Sequence, residues 1–127
     1  MDDPRTVVRR YLSDVLVGGN ARTARRLIAN EPLRQRVAAF RRAFPDLSVE
    51  PDLLIAEDDL VAMRATGRGT HLGTFQGHPP TGCSWSATCT ALYRVQSGAI
   101  VDAWVQWDLL AILEQIGAVR RSNAATA

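Results

Sequence analysis

The chain has only two cysteines and two histidines among its 127 residues, which leaves little material for disulfides or metal sites. Cys83 and Cys89 fall on one predicted strand, where extended backbone separates their Cα atoms by roughly 20 Å. That separation is far beyond the reach of a disulfide bond. Neither residue belongs to a CxxC motif or to a Cys/His cluster with zinc spacing. The sequence therefore predicts free thiols and no bound metal.

The sequence also lacks a large excess of positive or negative charge, and it has no long apolar runs. The fifteen basic residues, all of them arginine, are nearly balanced by thirteen acidic ones. Ten of the arginines lie before residue 43 and flank the apolar stripes of predicted helices, which indicates a solvated surface rather than a nucleic-acid interface. No apolar run has the length of a membrane span or the pattern of a signal peptide. We expect a cytoplasmic protein without nucleic-acid or membrane partners.

Motifs of several common enzyme classes are missing. No Gly-x-Gly-x-x-Gly follows a predicted strand, and no phosphate-binding loop is present. No Ser/His/Asp arrangement stands out either. The sequence gives no indication of dinucleotide, nucleotide or catalytic-triad chemistry.

The first 45 residues have helical periodicity. Asp3-Pro4 provides an N-cap followed by proline at the first helical position, and Gly18-Gly19 ends the first helix. Asn20 caps a second, short helix. Pro32 opens a third helix, which Pro45-Asp46 stops.

Beyond Pro45 the period changes to two, which is typical of strands. Pro51 indicates an edge or a bulge in the first strand, and Gln96-Ser97-Gly98 indicates a hairpin. The predicted strand residues are Leu47, Val49, Leu53 and Ile55, then Leu60 to Thr66, Cys83 to Val95 and Ala99 to Trp107, followed by a helix from Leu109 to Ile116. Segregated helices and strands predict an α+β fold, with helices on one face of a curved antiparallel four-stranded sheet. We expect one domain over residues 1–127, with 118–127 a frayed tail.

The segment RGTHLGTFQGHPPTG, residues 68–82, separates two of these strands. It holds four glycines, two prolines and both histidines. Glycine and proline provide tight turns and stiff corners. We interpret the segment as a loop that rims a cavity, with His71 directed inward.

Residues 44–117 carry a series of short motifs that occur in a characteristic order. They are Phe44-Pro45-Asp46-Leu47, Ile55-Ala56-Glu57-Asp58-Asp59, Arg64-Ala65-Thr66, the loop Gly69 to Gly77 with Pro79-Pro80-Thr81-Gly82, Tyr93-Arg94-Val95 with Gly98 to Trp104, Asp108, and Gln115-Ile116-Gly117. With these motifs the chain resembles the SnoaL-like polyketide cyclases (ester cyclases) of the NTF2-like superfamily.

The resemblance implies a cone-shaped α+β barrel, commonly dimeric, with a deep pocket between the helices and the sheet. It also implies chemistry without a cofactor, namely an intramolecular aldol ring closure on an aromatic polyketide ester. In one respect the chain departs from the family, which usually carries an extra pocket-lining stretch before the Phe44 motif. Here Leu27-Ile28-Ala29 runs almost directly into Asn30-Glu31-Pro32, which would shorten one wall of the pocket.

The last predicted strand offers candidate site residues. Period two places Ile100, Asp102, Trp104, Gln106 and Asp108 on one side and Val101, Ala103, Val105 and Trp107 on the other. A ligand site needs apolar lining with a few convergent polar groups. We therefore expect Trp104, Gln106 and Asp108 to face the pocket, along which the family places this strand.

An aldol closure needs a base at the carbon next to a carbonyl and an acid at the carbonyl oxygen. Asp108 is the predicted base, and His71 would hydrogen-bond the carbonyl or share the proton transfer. Arg64 would stabilise an enolate. The predicted substrate-binding residues are Arg64, Thr66, Phe75, Trp104 and Gln106.

Each assignment has a structural alternative. Asp108 directly precedes the final helix, so its carboxylate would also serve as an N-cap. The ring of His71 would also hold loop backbone together, and His78 is interpreted as a surface residue. Trp85 and Trp107 are interpreted as core or dimer-interface residues.

Two other functions remain open at this stage. One is epoxide opening, by water or by an internal hydroxyl, which generally uses two acids. The other is a non-catalytic module that binds a ligand or dimerises. A homodimer is expected, and the apolar side with Val101, Val105 and Trp107 offers a surface for it.

Overall fold

The computed structural model describes residues 3–120, and its N-terminal third is helical. Helix α1, Pro4–Arg10, begins at Asp3, whose carboxylate accepts a hydrogen bond from Arg5 N at 2.9 Å. The helix then widens into a π-helical segment, Tyr11–Val17. There Gly18 N donates to the carbonyl of Ser13, five residues earlier, at 2.9 Å.

Two further helices follow, α2 at Ala21–Leu27 and α3 at Glu31–Ala43. An asparagine caps each of them, as Asn20 accepts from Thr23 N and Asn30 accepts from Leu33 N, both at 3.0 Å. The side chain of Asn30 also donates to the carbonyl of Val101 at 3.2 Å. The short connection between α2 and α3 is therefore tied directly to the last strand.

The second half of the chain forms one antiparallel sheet with its strands in sequence order. The strands are β1 at Ser48–Glu57, β2 at Leu60–Thr70, β3 at Ser84–Gln96 and β4 at Ala99–Trp107, and helix α4 follows at Leu109–Gln115. Helices cover one face of the sheet, called the inner face below. The other face, called the outer face, carries most of the exposed strand residues.

Two β-bulges change which residues lie on the inner face. In β1 the register moves from Pro51↔Ala65 to Leu53↔Arg64, so Asp52 is the extra residue. In β4 it moves from Arg94↔Asp102 to Val95↔Ile100, so Val101 is the extra residue. An extra residue reverses the alternation of side chains beyond it.

The predicted α+β class, with helices on one face of a curved antiparallel four-stranded sheet, is confirmed. Strand β2 extends to Thr70, four residues beyond the predicted end. The bulge expected near Pro51 lies at Asp52, and it turns Leu53 and Ile55 outward, where they are 51% and 61% exposed.

The predicted tail lies only partly within the described residues. The amides of Ala118 and Val119 donate to the carbonyl of Leu113 at 2.9 and 3.2 Å. Residues 121–127 lie outside the described part of the chain.

Candidate functional site

A cavity of about 670 Å³ lies between helix α3 and the inner face of the sheet. It has the size of a small-molecule site. The cavity-lining residues come from the N-terminal helices (Tyr11, Leu16), from α3 (Leu33, Arg36, Val37, Ala39, Phe40), from β1 to β3 (Val49, Met63, Cys89, Tyr93), from the loop (Thr74, Phe75, Gln76), and from β4 and its end (Ala103 to Trp107, Leu109).

Aromatic rings join the two sides of the cavity. The ring of Phe40 on α3 stacks on the indole of Trp107 on β4, with centroids 5.0 Å apart and planes 21° apart. Phe40 also makes edge contacts with Phe44 and Phe75 at 5.0 and 5.9 Å. This cluster stabilises one end of the cavity and offers flat apolar surfaces to a bound molecule.

The cavity-lining residues include no aspartate, glutamate or histidine. The ionisable groups there are the guanidinium of Arg36, the thiol of Cys89 and the phenols of Tyr11 and Tyr93. The amides of Gln76 and Gln106 and the hydroxyl of Thr74 complete the polar set. The arrangement can therefore donate hydrogen bonds and place one positive charge, but it contains no carboxylate base.

Burial keeps the deeper ionisable groups neutral. Desolvation raises the pKa of Tyr11, and the nearby Cys89 acts in the same direction while the positive charge of Arg36 opposes it. Burial likewise raises the pKa of Tyr93 well above its ordinary value, with further contributions from Tyr11 and Cys89. The pKa of the Cys89 thiol rises to about 12 through desolvation. All three groups are protonated at neutral pH.

His71 is fully buried within the loop between β2 and β3, and it is not a cavity-lining residue. Its Nδ1 accepts from Thr81 N at 3.2 Å and lies 3.0 Å from Thr81 Oγ1. Its Nε2 lies 3.2 Å from the carbonyl of His78, to which it donates. The ring thus joins both ends of the loop, which is the structural alternative identified from the sequence.

Asp108 is exposed and caps helix α4, where its carboxylate accepts from Ala111 N at 3.1 Å. Its neighbours Trp107 and Leu109 line the cavity, but Asp108 does not. The structure therefore does not bring Asp108 and His71 together in the cavity.

The other predicted site residues divide between the two faces. Arg64 and Thr66 lie on the outer face, where Arg64 approaches Asp52 at 3.6 Å, because Met63, Ala65 and Gly67 occupy the inner positions of β2. They do not line the cavity. Phe75 is buried and lines it.

Both sides of β4 contribute residues to the cavity lining. Trp104 and Gln106 pair with Leu92 and Thr90 on the outer face of this edge strand, and both also line the cavity, as expected from the sequence. Ala103, Val105 and Trp107 form the inner wall and pack on the core. This apolar side packs within the subunit rather than forming the expected dimer surface. Trp85 is a core residue, and Trp107 is partly buried against the core.

Four of the cavity-lining residues were not predicted from the sequence, namely Tyr11, Arg36, Cys89 and Tyr93. A signal for the tyrosines was present, because each places a hydroxyl within an otherwise apolar inward stripe. Tyr11 lies among Val8, Leu12 and Val15, and Tyr93 follows Cys89 and Ala91 on the inner positions of β3.

Within residues 3–120 no group of three or more His, Cys, Asp or Glu side chains is placed to hold a metal ion. None of the helices in that range is long and apolar enough to span a membrane.

Comparison with known proteins gives a consistent answer. Residues 3–116 match the family model described as SnoaL-like polyketide cyclase. No curated protein matches the sequence.

Solved structures resemble the whole fold. IdmH from Streptomyces antibioticus, provisionally described as a polyketide cyclase, is 27% identical with a TM-score of 0.79, covering 91% of this chain and 99% of its own. TsrD from Streptomyces laurentii is 22% identical with a TM-score of 0.82, covering 94% and 99%. A SnoaL-like polyketide cyclase from Agrobacterium tumefaciens is 19% identical with a TM-score of 0.77, covering 92% and 100%. The last two support the fold alone.

Proposed function

The chain belongs to the SnoaL-like polyketide cyclase family, and from that premise we propose that it closes a ring in a polyketide-like small molecule bound in the cavity. The observation that carries this proposal is the cavity itself. It combines about 670 Å³ of space, flat aromatic walls and a few polar groups, and it reaches the surface near Arg36 and Gln76.

The proposed reaction is an intramolecular aldol closure. The carbon next to one carbonyl loses a proton and forms a bond to a second carbonyl carbon, whose oxygen gains a proton. Because nothing is oxidised or reduced, we propose that no cofactor takes part. The protein contributes mainly by holding a flexible chain with its reacting carbons in contact and by excluding water, and such positioning accelerates ring closure strongly.

The source of the base remains a proposal. A carbon between two carbonyls is acidic enough to lose its proton to a weak base, which suits a cavity without a lining carboxylate. Asp108 is adjacent in the chain to the cavity-lining residues Trp107 and Leu109, so we retain it as a candidate for accepting the substrate's proton at the edge of the cavity. His71 is proposed to act indirectly, by holding the loop that carries Phe75 and Gln76.

The alternatives are less well supported. Epoxide opening in related pockets generally uses two acids, and no Asp or Glu is among the cavity-lining residues. A non-catalytic binding module would share the cavity but would leave the metabolites of the cell unchanged.

We also propose that the protein is a homodimer that associates through the outer face of the sheet. One apolar row crosses all four strands there, formed by Ile55, Ala62, Leu92 and Trp104 in register. Both signs of charge surround the row, so a second copy related by a two-fold axis can match it without net repulsion. The surrounding charged residues are Arg64, Arg68, Arg94, Glu50, Glu57 and Asp102.

The cytoplasmic location stays a prediction.

Deleting the gene in the producing strain tests the proposed function. We expect an uncyclised precursor to accumulate and to disappear when the wild-type gene is restored. Restoration with Asp108→Asn, which keeps the helix cap, separates the two roles of that residue, since loss of ring closure with an unchanged fold would identify it as the base. An unchanged metabolite profile after deletion would contradict the cyclase and favour a binding module.

A further inference from the structure

Two tyrosines from distant parts of the chain meet in the cavity. Tyr11 opens the π-helical segment and Tyr93 lies on the inner face of β3, and their ring centroids are 5.7 Å apart with planes 60° apart. They are only 2% and 1% exposed, yet both line the cavity.

Neither hydroxyl has a hydrogen-bond partner among residues 3–120. A buried hydroxyl normally has one, because leaving it unpaired is unfavourable. In the same part of the chain, the only fully enclosed side-chain nitrogen or oxygen without a partner is Nε1 of Trp85. The two tyrosine hydroxyls are therefore not fully enclosed by protein, and the space that they reach is the cavity.

We propose that the hydroxyls of Tyr11 and Tyr93 form a two-donor site for a carbonyl oxygen of the substrate. This inference rests on the proposed function and adds a substrate class to it, namely planar, largely apolar molecules that carry a ketone or an enolate oxygen on the buried part. In a ring closure the two phenols would stabilise the negative charge that develops on that oxygen.

The electrostatics of the site agree with a role as donors. Burial raises the pKa of both phenols, so they remain protonated and cannot serve as bases at neutral pH. Neutral donors that are fixed in an apolar surrounding stabilise a developing oxyanion better than water does, because they are already oriented. The positive charge of Arg36, which opposes the effect of burial on the pKa of Tyr11, favours a nearby anion as well.

Tyr11 lies at the start of the π-helical segment. A π-helical turn holds more residues than an α-helical one, so it shifts the side chains that follow relative to a regular helix. Here the wide turns begin at Tyr11 itself and end at Gly18. Such turns are often found at functional sites.

Binding of a ketone and of the matching hydrocarbon tests the proposal without the natural substrate. The probes are 1-tetralone and tetralin, titrated into the full-length protein and followed by nuclear magnetic resonance of the backbone amides. We expect tetralone to bind more tightly than tetralin. Tyr11→Phe and Tyr93→Phe should each weaken tetralone binding about 3- to 10-fold, the effect of one hydrogen bond, and should change tetralin binding less than 2-fold.

Thr88→Val is the matched control, because it removes an exposed hydroxyl from the outer face of β3, outside the cavity lining. It should leave the affinity for tetralone unchanged. The infrared carbonyl stretch of bound tetralone provides a second readout, and it should lie at lower frequency in the wild type than in either Phe variant. Without ligand, neither Phe variant should lose thermal stability, since no protein hydrogen bond is removed.

Equal affinities for the two probes, equal weakening of both by the Phe variants, an unshifted carbonyl band or no binding of tetralone would each overturn the two-donor site. These outcomes are distinguishable from failure of the proposed function. Ring closure in the producing strain would continue if only the donor site were wrong.

Discussion

Gly67 on β2 lies directly beneath the indole of Trp107, so that a Cβ atom at position 67 would overlap Cη2 and Cζ3 of that ring. The neighbouring inner positions, Val49 and Ala87, are buried. The absence of a side chain at Gly67 therefore lets the indole approach the sheet closely, where it stacks on Phe40 and lines the cavity.

Gly67→Ala should displace this indole toward the cavity. We expect the free energy of unfolding to fall by about 1–3 kcal/mol, as in other overpacked cores, measured by urea denaturation. The control is a double-mutant cycle with Trp107→Leu, whose smaller side chain leaves room for the methyl group. If the two substitutions had additive effects on the free energy of unfolding, the position of the Trp107 indole would not depend on Gly67.

His71→Ala should destabilise the loop between β2 and β3. The change leaves Thr81 N without its partner and removes one of the two hydrogen bonds to the carbonyl of His78, which still accepts from Phe75 N. We expect a loss of about 2–4 kcal/mol in the free energy of unfolding. Amide hydrogen exchange in residues 71–83 should become faster.

His78→Ala is the matched control for that prediction. The side chain of His78 has no hydrogen bond among the described residues, so we expect a change within about 0.5 kcal/mol. A His71 variant that keeps full stability but loses ring closure would contradict the structural role and support direct catalysis.

The outer face of the sheet should determine the oligomeric state. Trp104→Glu places a charge in the middle of the apolar row, and we expect it to shift the protein from dimer to monomer in sedimentation equilibrium. Gln106→Glu introduces the same group on the same strand outside the row and should leave the dimer intact. A wild-type protein that is monomeric at high micromolar concentration would contradict this interface.

Acid should weaken the contact between the helices and β2. The carboxylate of Asp46 accepts hydrogen bonds from Thr70 N at 2.8 Å and from Thr70 Oγ1 at 2.7 Å, and these bonds hold the pKa of Asp46 below its ordinary value of 3.8. A lowered pKa in the folded state means that this stabilisation is complete above the ordinary value and is lost as the pH falls through the lowered one.

Asp46→Asn should therefore be less stable than the wild type at pH 7, and the difference should shrink as the pH falls below 3.8. Urea denaturation at several pH values measures it. The same change at Asp58, whose carboxylate has no hydrogen-bond partner in the described part of the chain, should give no such pH-dependent difference. A constant gap between wild type and Asp46→Asn down to pH 2.5 would contradict the assignment.

Much of the fold follows from local sequence signals. Asp3-Pro4, Asn20 and Gly18-Gly19 mark helix ends because capping and chain reversal depend on those residues themselves. The strands follow from their period of two, and the order of elements follows from both.

The faces of the edge strands could not be predicted in the same way. One extra residue in β1 and one in β4 reverse the alternation, and the bulge at Val101 occurs where Asn30 and Ala29, more than seventy residues away, bond to the strand. Period two alone placed Ile100 on the same side of β4 as Trp104 and Gln106, whereas the bulge puts Ile100 on the buried inner face. The pair of Tyr11 and Tyr93 depends on the same tertiary packing, so neither residue was a candidate before the structure.

The most direct test of the cavity as the site of ring closure uses the precursor that accumulates in the deletion strain. Purified protein should convert it to the cyclised product without any added cofactor. Ala39→Trp, at a cavity-lining position of α3, should reduce the rate at least about 10-fold, whereas Ala38→Trp, its exposed neighbour outside the lining, should retain the wild-type rate. Equal rates for the two variants, or cyclisation at the same rate without protein, would contradict the account.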